Sequence, residues 1–201
     1  MHECCGSRGG SKPGLLLIDI QEGFRAPVWG TRNNPNFEKN VRSLLAHWRS
    51  QRWPVIHVQH LSTDEKSPLR PGEDGARFMD FAEPYPSEPI FTKHVNSAFI
   101  GTDLEVRLKE SHIHDLVIVG LTTDHCVSTS ARMAANLGFN VRVVNDATAT
   151  FERKGPSGEI FMADLVHQIA LASLNEEFAQ LVTTHELTNE PSKTRAQRTP
   201  G

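Results

Sequence analysis

Gly14-Leu-Leu-Leu-Ile-Asp-Ile20 is an apolar run broken only by an acid at residue 19. A strand buried on both faces reads this way, and such strands belong to parallel sheets covered by helices. Working outward, Asn36 to Gln51 carries Phe37, Val41, Leu44, Leu45 and Trp48 at helical spacing. Val55 to Gln59 follows Pro54 and is rich in β-branched residues, so a second strand is predicted. A short strand is expected at Ile90 to Lys93, a helix at Asp103 to Glu110 and a buried strand at Leu116 to Gly120. Asp124 to Leu137 reads as a helix stopped by Gly138. A strand at Val141 to Val144, a helix at Ser157 to Ser173 and a last strand at Phe178 to Thr183 complete the series. The repeated β–α–β order predicts an α/β fold: a mostly parallel sheet of about six strands with helices on both faces.

Composition narrows the function. The chain has 201 residues, 38% of them hydrophobic and 22% charged, which suits one large domain rather than a disordered chain. A net charge of −3 argues against a nucleic-acid partner. No apolar run approaches the roughly 20 residues that span a bilayer, so no membrane partner is expected. The leader lacks the marks of a signal peptide. The expected organisation is a flexible leader at 1–12, one domain at 13–185 and a flexible tail at 186–201. Three cysteines, Cys4, Cys5 and Cys126, suggest no disulfide framework, and a reducing, cytoplasmic setting would leave Cys126 a thiol.

Ligands of open α/β sheets sit beyond the carboxyl ends of the strands. That rule gathers Asp19, Lys93 and the Gly120 to Cys126 turn on one edge. Cys126 opens a predicted helix, where unpaired N–H groups and the helix dipole favour the thiolate, with Thr123 or Asp124 as a cap. The alternative is a buried structural cysteine. Asp19 is costly in an apolar strand unless paired, and is either a general base or a strand-end acceptor of a backbone N–H. Lys93 alone reads as surface; beside the other two its charge would steady a thiolate.

This combination resembles the isochorismatase-like cysteine hydrolases. The resemblance rests on Leu-Leu-Ile-Asp-Ile-Gln at 16–21, on Lys93 followed by Ser97-Ala98-Phe99, and on Gly120-Leu-Thr-Thr-Asp-His-Cys-Val127. It implies a three-layer Rossmann-like sandwich and a catalytic triad of Asp19, Lys93 and Cys126. It also implies a non-proline cis peptide between Leu121 and Thr122, and an oxyanion hole from the N–H groups of Thr122 and Cys126. The cysteine favours the branch that hydrolyses small amides, ureides or lactams through a thioester. A vinyl-ether hydrolase remains the first alternative, and a non-catalytic ligand-binding or redox-sensing protein the second. The resemblance further implies a small-molecule substrate and a homodimer or homotetramer.

No cofactor is expected. His57 and His60 are three apart on a strand and face opposite sides, so a metal pattern is lacking and a nicotinamidase is disfavoured. His112 and His114 read as surface or turn residues. Phe24, Trp29 and Phe99 are candidates for the pocket wall, with core packing as the alternative. Gln21, Asn96 and His125 are candidates for polar substrate contacts. Asp146 either serves the site or holds its loop, and Arg70 and Arg77 read as solvated charge.

Overall fold

The computed structural model describes residues 12–189. Its strands are β1 (Gly14–Ile18), β2 (Val55–His60), β3 (Ile90–Lys93), β4 (Asp115–Leu121), β5 (Asn140–Ala149), β6 (Arg153–Lys154), β7 (Ile160–Phe161) and β8 (Gln180–Val182). Its α-helices are α1 (Phe37–Gln51), α2 (Leu104–Glu110), α3 (Ser128–Asn136), α4 (Ala163–Leu174) and α5 (Thr184–Asn189). Six strands form one sheet in the order β3-β2-β1-β4-β5-β8, every pair parallel. The α/β sandwich expected from the strand pattern is therefore present.

The pleat of β1 shows why its sequence had to be apolar throughout. Leu15 and Leu17 join one core with α1 and Leu187 of α5. Leu16 and Ile18 join the other, with α2, α3 and α4. Alternate side chains point to opposite faces, and both faces are covered. The chain builds outward from β1 to β2 and β3, then crosses back to lay β4 on the other side of β1. The sheet's switch point thus lies between β1 and β4, where the rule for open sheets places ligands.

Gly120 lets those two strands meet. Its φ is +123°, and a Cβ there would stand 2.0 Å from the Ile18 carbonyl oxygen. Beyond it the register with β5 jumps: Ile118 pairs with Val143, and Gly120 pairs with Thr148. The extra β5 residues form a bulge that anchors three helices. The Asn145 carbonyl accepts from Asn34 at 2.9 Å and from His167 of α4 at 3.1 Å. The Asp146 carbonyl accepts from Asn40 of α1 at 2.7 Å, and its carboxylate accepts from the Thr184 N–H and hydroxyl. Asp146 is thus a tie for α1 and α5.

Three expectations need correcting. The helix expected from Ser157 starts at Ala163, because Arg153–Lys154 and Ile160–Phe161 pair as an antiparallel ribbon. A turn between them, closed by Gly155 N–H to the Glu159 carbonyl and with Gly158 at φ +92°, competes with the helix. The helix expected from Asp124 is a π-turn over Thr123–Val127 followed by α3. The boundary expected after residue 185 falls inside α5, which buries Leu187. Cys4, Cys5 and the leader to residue 11 lie outside the described residues, as does the tail from residue 190.

Gly120→Ala forces a methyl group into a backbone carbonyl and should cost on the order of 3 kcal/mol or more. Urea unfolding measures it, and an unchanged midpoint would refute the close approach of β1 and β4.

Candidate active site

Asp19 follows β1 in the left-handed region, at φ +51°. Its N–H donates to the Val58 carbonyl, so the strand ends there and the carboxylate stands at the sheet edge. Lys93 closes β3 two strands away, and both side chains are fully buried. Lys93 Nζ donates to Asp19 Oδ2 at 2.7 Å and to Cys126 Sγ at 3.3 Å. The three residues named from the sequence are therefore in contact. Nζ also lies 3.0 Å from His60 Nδ1. Among the described residues, the second carboxylate oxygen, Asp19 Oδ1, is buried without a hydrogen-bond partner.

Cys126 sits in the π-turn, after a cis peptide between Leu121 and Thr122. The turn closes by Val127 N–H to the Thr122 carbonyl at 3.1 Å. Its side chains brace it. Thr123 Oγ1 lies 2.8 Å from His167 Nδ1; since His167 Nε2 faces the Asn145 carbonyl, Nδ1 accepts from the hydroxyl. Asp124 accepts from Arg153 Nε at 2.8 Å and from Thr150. Neither Thr123 nor Asp124 caps a helix, contrary to expectation.

The electrostatics also differ from expectation. Burial pushes the Asp19 carboxyl above the usual carboxylate range, although Lys93 pulls it down. Burial and then the Asp19 charge push the Cys126 thiol up to about 12, against the pull of Lys93. These directions favour a thiol at Cys126, not the thiolate expected of a helix start: desolvation outweighs the local dipoles. The thiol faces Asn96 Oδ1 at 3.8 Å. Burial and the neighbouring ammonium pull the His60 ring down to about 4.

Ligand-type atoms of Asp19, His60 and Cys126 lie within 4.8 Å of one another. The Lys93 ammonium contacts all three side chains, so a cation already holds their shared space. The parity of β2 separates His57 from His60 as expected: His57 Nε2 meets Glu88 at 2.9 Å on the α1 face. That argument missed His60, whose partner lies on the next strand.

A cleft of about 390 Å³ opens over Asp19 and Cys126. Phe24, Trp29, Asn96 and His125 line it, as anticipated, together with His60, Arg153 and residues of the 62–69 loop. Phe24 and Trp29 form its apolar side and pack ring against ring with the buried Phe151 behind them, with centroids 5.2 to 6.2 Å apart. Two candidates do not belong. Gln21 is fully buried and spent on backbone: its amide donates to the His60 and Ala76 carbonyls and accepts the His60 N–H. Phe99 packs on Phe139 beside the second core. Arg70 pairs with Glu73 and Arg77 with Asp74, and His112 and His114 are exposed. A larger cleft of about 670 Å³ lies at the amino ends of β2 and β3; none of the three contacting residues lines it.

The family model described as Isochorismatase domain matches residues 13–186. The isochorismatase family protein YrdC of Bacillus subtilis (strain 168), itself uncharacterized, is 43% identical over 183 residues, 91% of this chain and 98% of that protein. Nicotinamidase 3 of Arabidopsis thaliana is 33% identical over 190 residues, 86% of this chain and 85% of that one. A solved isochorismatase-family structure from Chromobacterium violaceum ATCC 12472 has a TM-score of 0.86 at 39% identity, covering 90% of this chain and 93% of that one.

A thiol held near 12 reacts slowly with alkylating agents. Iodoacetamide should modify Cys126 more slowly in the folded protein at neutral pH than after denaturation, and the folded rate should climb steadily with pH. Peptide mass spectrometry reads Cys126 apart from Cys4 and Cys5; rapid, pH-independent labelling of the folded protein would mean a resting thiolate.

Proposed function

The chain belongs to the isochorismatase family of hydrolases, and from that premise we propose that it cleaves a C–N bond of a small amide, ureide or lactam through a thioester on Cys126. The observation that carries this reading is one buried ammonium shared by a carboxylate and a thiol: Lys93 Nζ touches Asp19 Oδ2 and Cys126 Sγ at the floor of a cleft. A vinyl-ether hydrolase has no use for a sulfur nucleophile so placed. The similarity to a protein named for an amide substrate, Nicotinamidase 3, points the same way.

The pKa directions decide the order of proton transfer. Ionising a thiol near 12 at neutral pH costs roughly 7 kcal/mol, so a preformed thiolate is a poor route. Asp19 removes the need for it. Its raised carboxyl is a stronger base than an exposed aspartate, and Oδ1 has no competing partner. As the sulfur bonds to the carbonyl carbon, its proton passes to Asp19 and the carbonyl π pair moves to oxygen. The N–H groups of Thr122 and Cys126 hold that oxyanion. Collapse breaks the C–N bond, and Asp19 gives its proton to the departing nitrogen. Asp19 then takes a proton from water, hydroxide cleaves the thioester, and the proton returns to sulfur. Lys93 keeps its three protons throughout and offsets the charge on whichever partner carries it. Phe24 and Trp29 wall the substrate, and Asn96 and His125 contact its polar atoms.

The reading includes assembly of two or four copies. An exposed apolar face formed by Ile160, Phe161, Met162, Leu165 and Ile169 supports it, and light scattering tests it. Among the described residues no helix is long and apolar enough to cross a membrane. A reducing, cytoplasmic setting fits a mechanism that needs Cys126 as a thiol.

A panel of small amides, ureides and lactams identifies the substrate. Cys126→Ala should lose at least about a thousandfold in kcat while keeping its unfolding midpoint. Intact mass under turnover should show an acyl adduct on the wild-type protein. Normal turnover by the variant sinks the mechanism; vinyl-ether cleavage without an adduct favours the ether reading, and peroxide oxidation of Cys126 in a protein that hydrolyses nothing favours the redox reading. Asp19 must be ionised to take the thiol proton. Its folded value is raised, so kcat/KM should fall as pH drops through a point above the ordinary carboxylate range. A profile flat into strong acid would remove Asp19 as the base.

A further inference from the structure

We infer that His60 is a positioning residue that supplies the third acceptor for the Lys93 ammonium and thereby holds it against Cys126. An ammonium has three protons and no lone pair. Lys93 is fully buried, so each proton left unmatched is a desolvated donor. Three acceptors surround Nζ: Asp19 Oδ2 at 2.7 Å, His60 Nδ1 at 3.0 Å and Cys126 Sγ at 3.3 Å. His60 and Lys93 are register partners across β2 and β3, so the pairing of the strands brings them together.

The contact also fixes the state of the ring. Nδ1 meets a cation that can only donate, so it carries a lone pair and the proton sits on Nε2. Burial and the ammonium keep the ring neutral through the neutral pH range, so His60 accepts and does not shuttle protons. The charged and titratable groups facing it are Lys93, Asp19, Cys126 and His94, and only Lys93 donates to it.

Without His60 the ammonium has two acceptors and a buried free N–H. Turning that N–H toward Asp19 or the cleft loosens the longest of its contacts, the one to sulfur. The attacking sulfur then loses part of the positive charge that steadies it, while binding of a substrate in the cleft is little affected.

Two substitutions separate an acceptor from a space-filler. In His60→Asn the Oδ1 atom takes the position of Nδ1, whereas His60→Leu fills the space without an acceptor. The importance of His60 to turnover rests on Cys126 being the nucleophile. Iodoacetamide labelling of Cys126, followed on its own peptide, needs no substrate and stands apart from that reading. At mildly alkaline pH, His60→Leu should slow labelling by about fivefold or more, as a rise in the thiol pKa of somewhat under one unit would do, and His60→Asn should stay within about twofold of wild type. On the amide found by screening, His60→Leu should lower kcat by about tenfold or more with KM little changed, and His60→Asn should recover most of it. Unfolding midpoints accompany both variants. Wild-type labelling of His60→Leu overturns the inference, as does equal slowing in both variants, which would make the ring a packing element. If the labelling pattern holds in a protein that hydrolyses no amide, His60 keeps its role and the amidase reading falls.

Discussion

The site depends on one buried ion pair, Lys93 to Asp19. Burying two charges costs several kcal/mol per ion, and the attraction between them offsets that only when the remaining donors and acceptors are matched. Here the matching is uneven. All three ammonium protons face acceptors, while among the described residues one carboxylate oxygen, Asp19 Oδ1, has no hydrogen-bond donor. The pair is a weak source of stability and a strong constraint on geometry. Removing either partner leaves a bare charge in the interior, a loss of roughly 3–5 kcal/mol.

That constraint explains the arrangement around it. A parallel sheet puts every carboxyl end on one edge, so a residue ending β1, a residue ending β3 and a turn following β4 can meet without any long loop. Gly120 permits the approach of β1 and β4, and the β5 bulge ties α1, α4 and α5 to the same edge. His167 and Arg153 then hold Thr123 and Asp124 from outside, so the turn carrying Cys126 is braced on both flanks. The polar residues around the turn thus position a thiol that burial keeps neutral. The same burial raises the neighbouring Asp19 carboxyl.

The sequence carried the parts that follow from local pattern and from the rule for open sheets. The apolar run around Asp19, the apolar strands before Gly120 and the strand before Lys93 were each readable alone, and the shared edge brought their ends together. Pairing across strands was not readable. Gln21 looked like a substrate contact because a polar residue follows a strand, yet its amide bridges to His60 and Ala76, positions known only after folding. Phe99 was placed near the cleft by its neighbours in sequence, while the ring turns to Phe139. His60 was set aside by a correct parity argument that concerned only its own strand. Which side chains meet across strands far apart in the chain is a non-local property, decided when the strands pair. The thiolate expectation failed differently: the helix-start argument counted dipoles and omitted desolvation, the larger effect at a buried sulfur.

Chemistry and specificity have separate supports here. Asp19 and Lys93 stand at strand ends whose positions are set by backbone pairing, and Cys126 stands in a braced turn beside them. The cleft walls come from Phe24, Trp29 and residues 62–69, connections between strands that the sheet does not dictate. Such segments lie outside the strands whose pairing sets the ion pair. The same Asp–Lys–Cys contact is therefore compatible with many cleft shapes, and likeness in the sheet says little about the ligand. This cleft has an aromatic side, Phe24 and Trp29, and the polar Asn96 and His125 in its lining. That shape is a property of the loops, so the substrate has to be sought by experiment on this chain rather than taken from a relative.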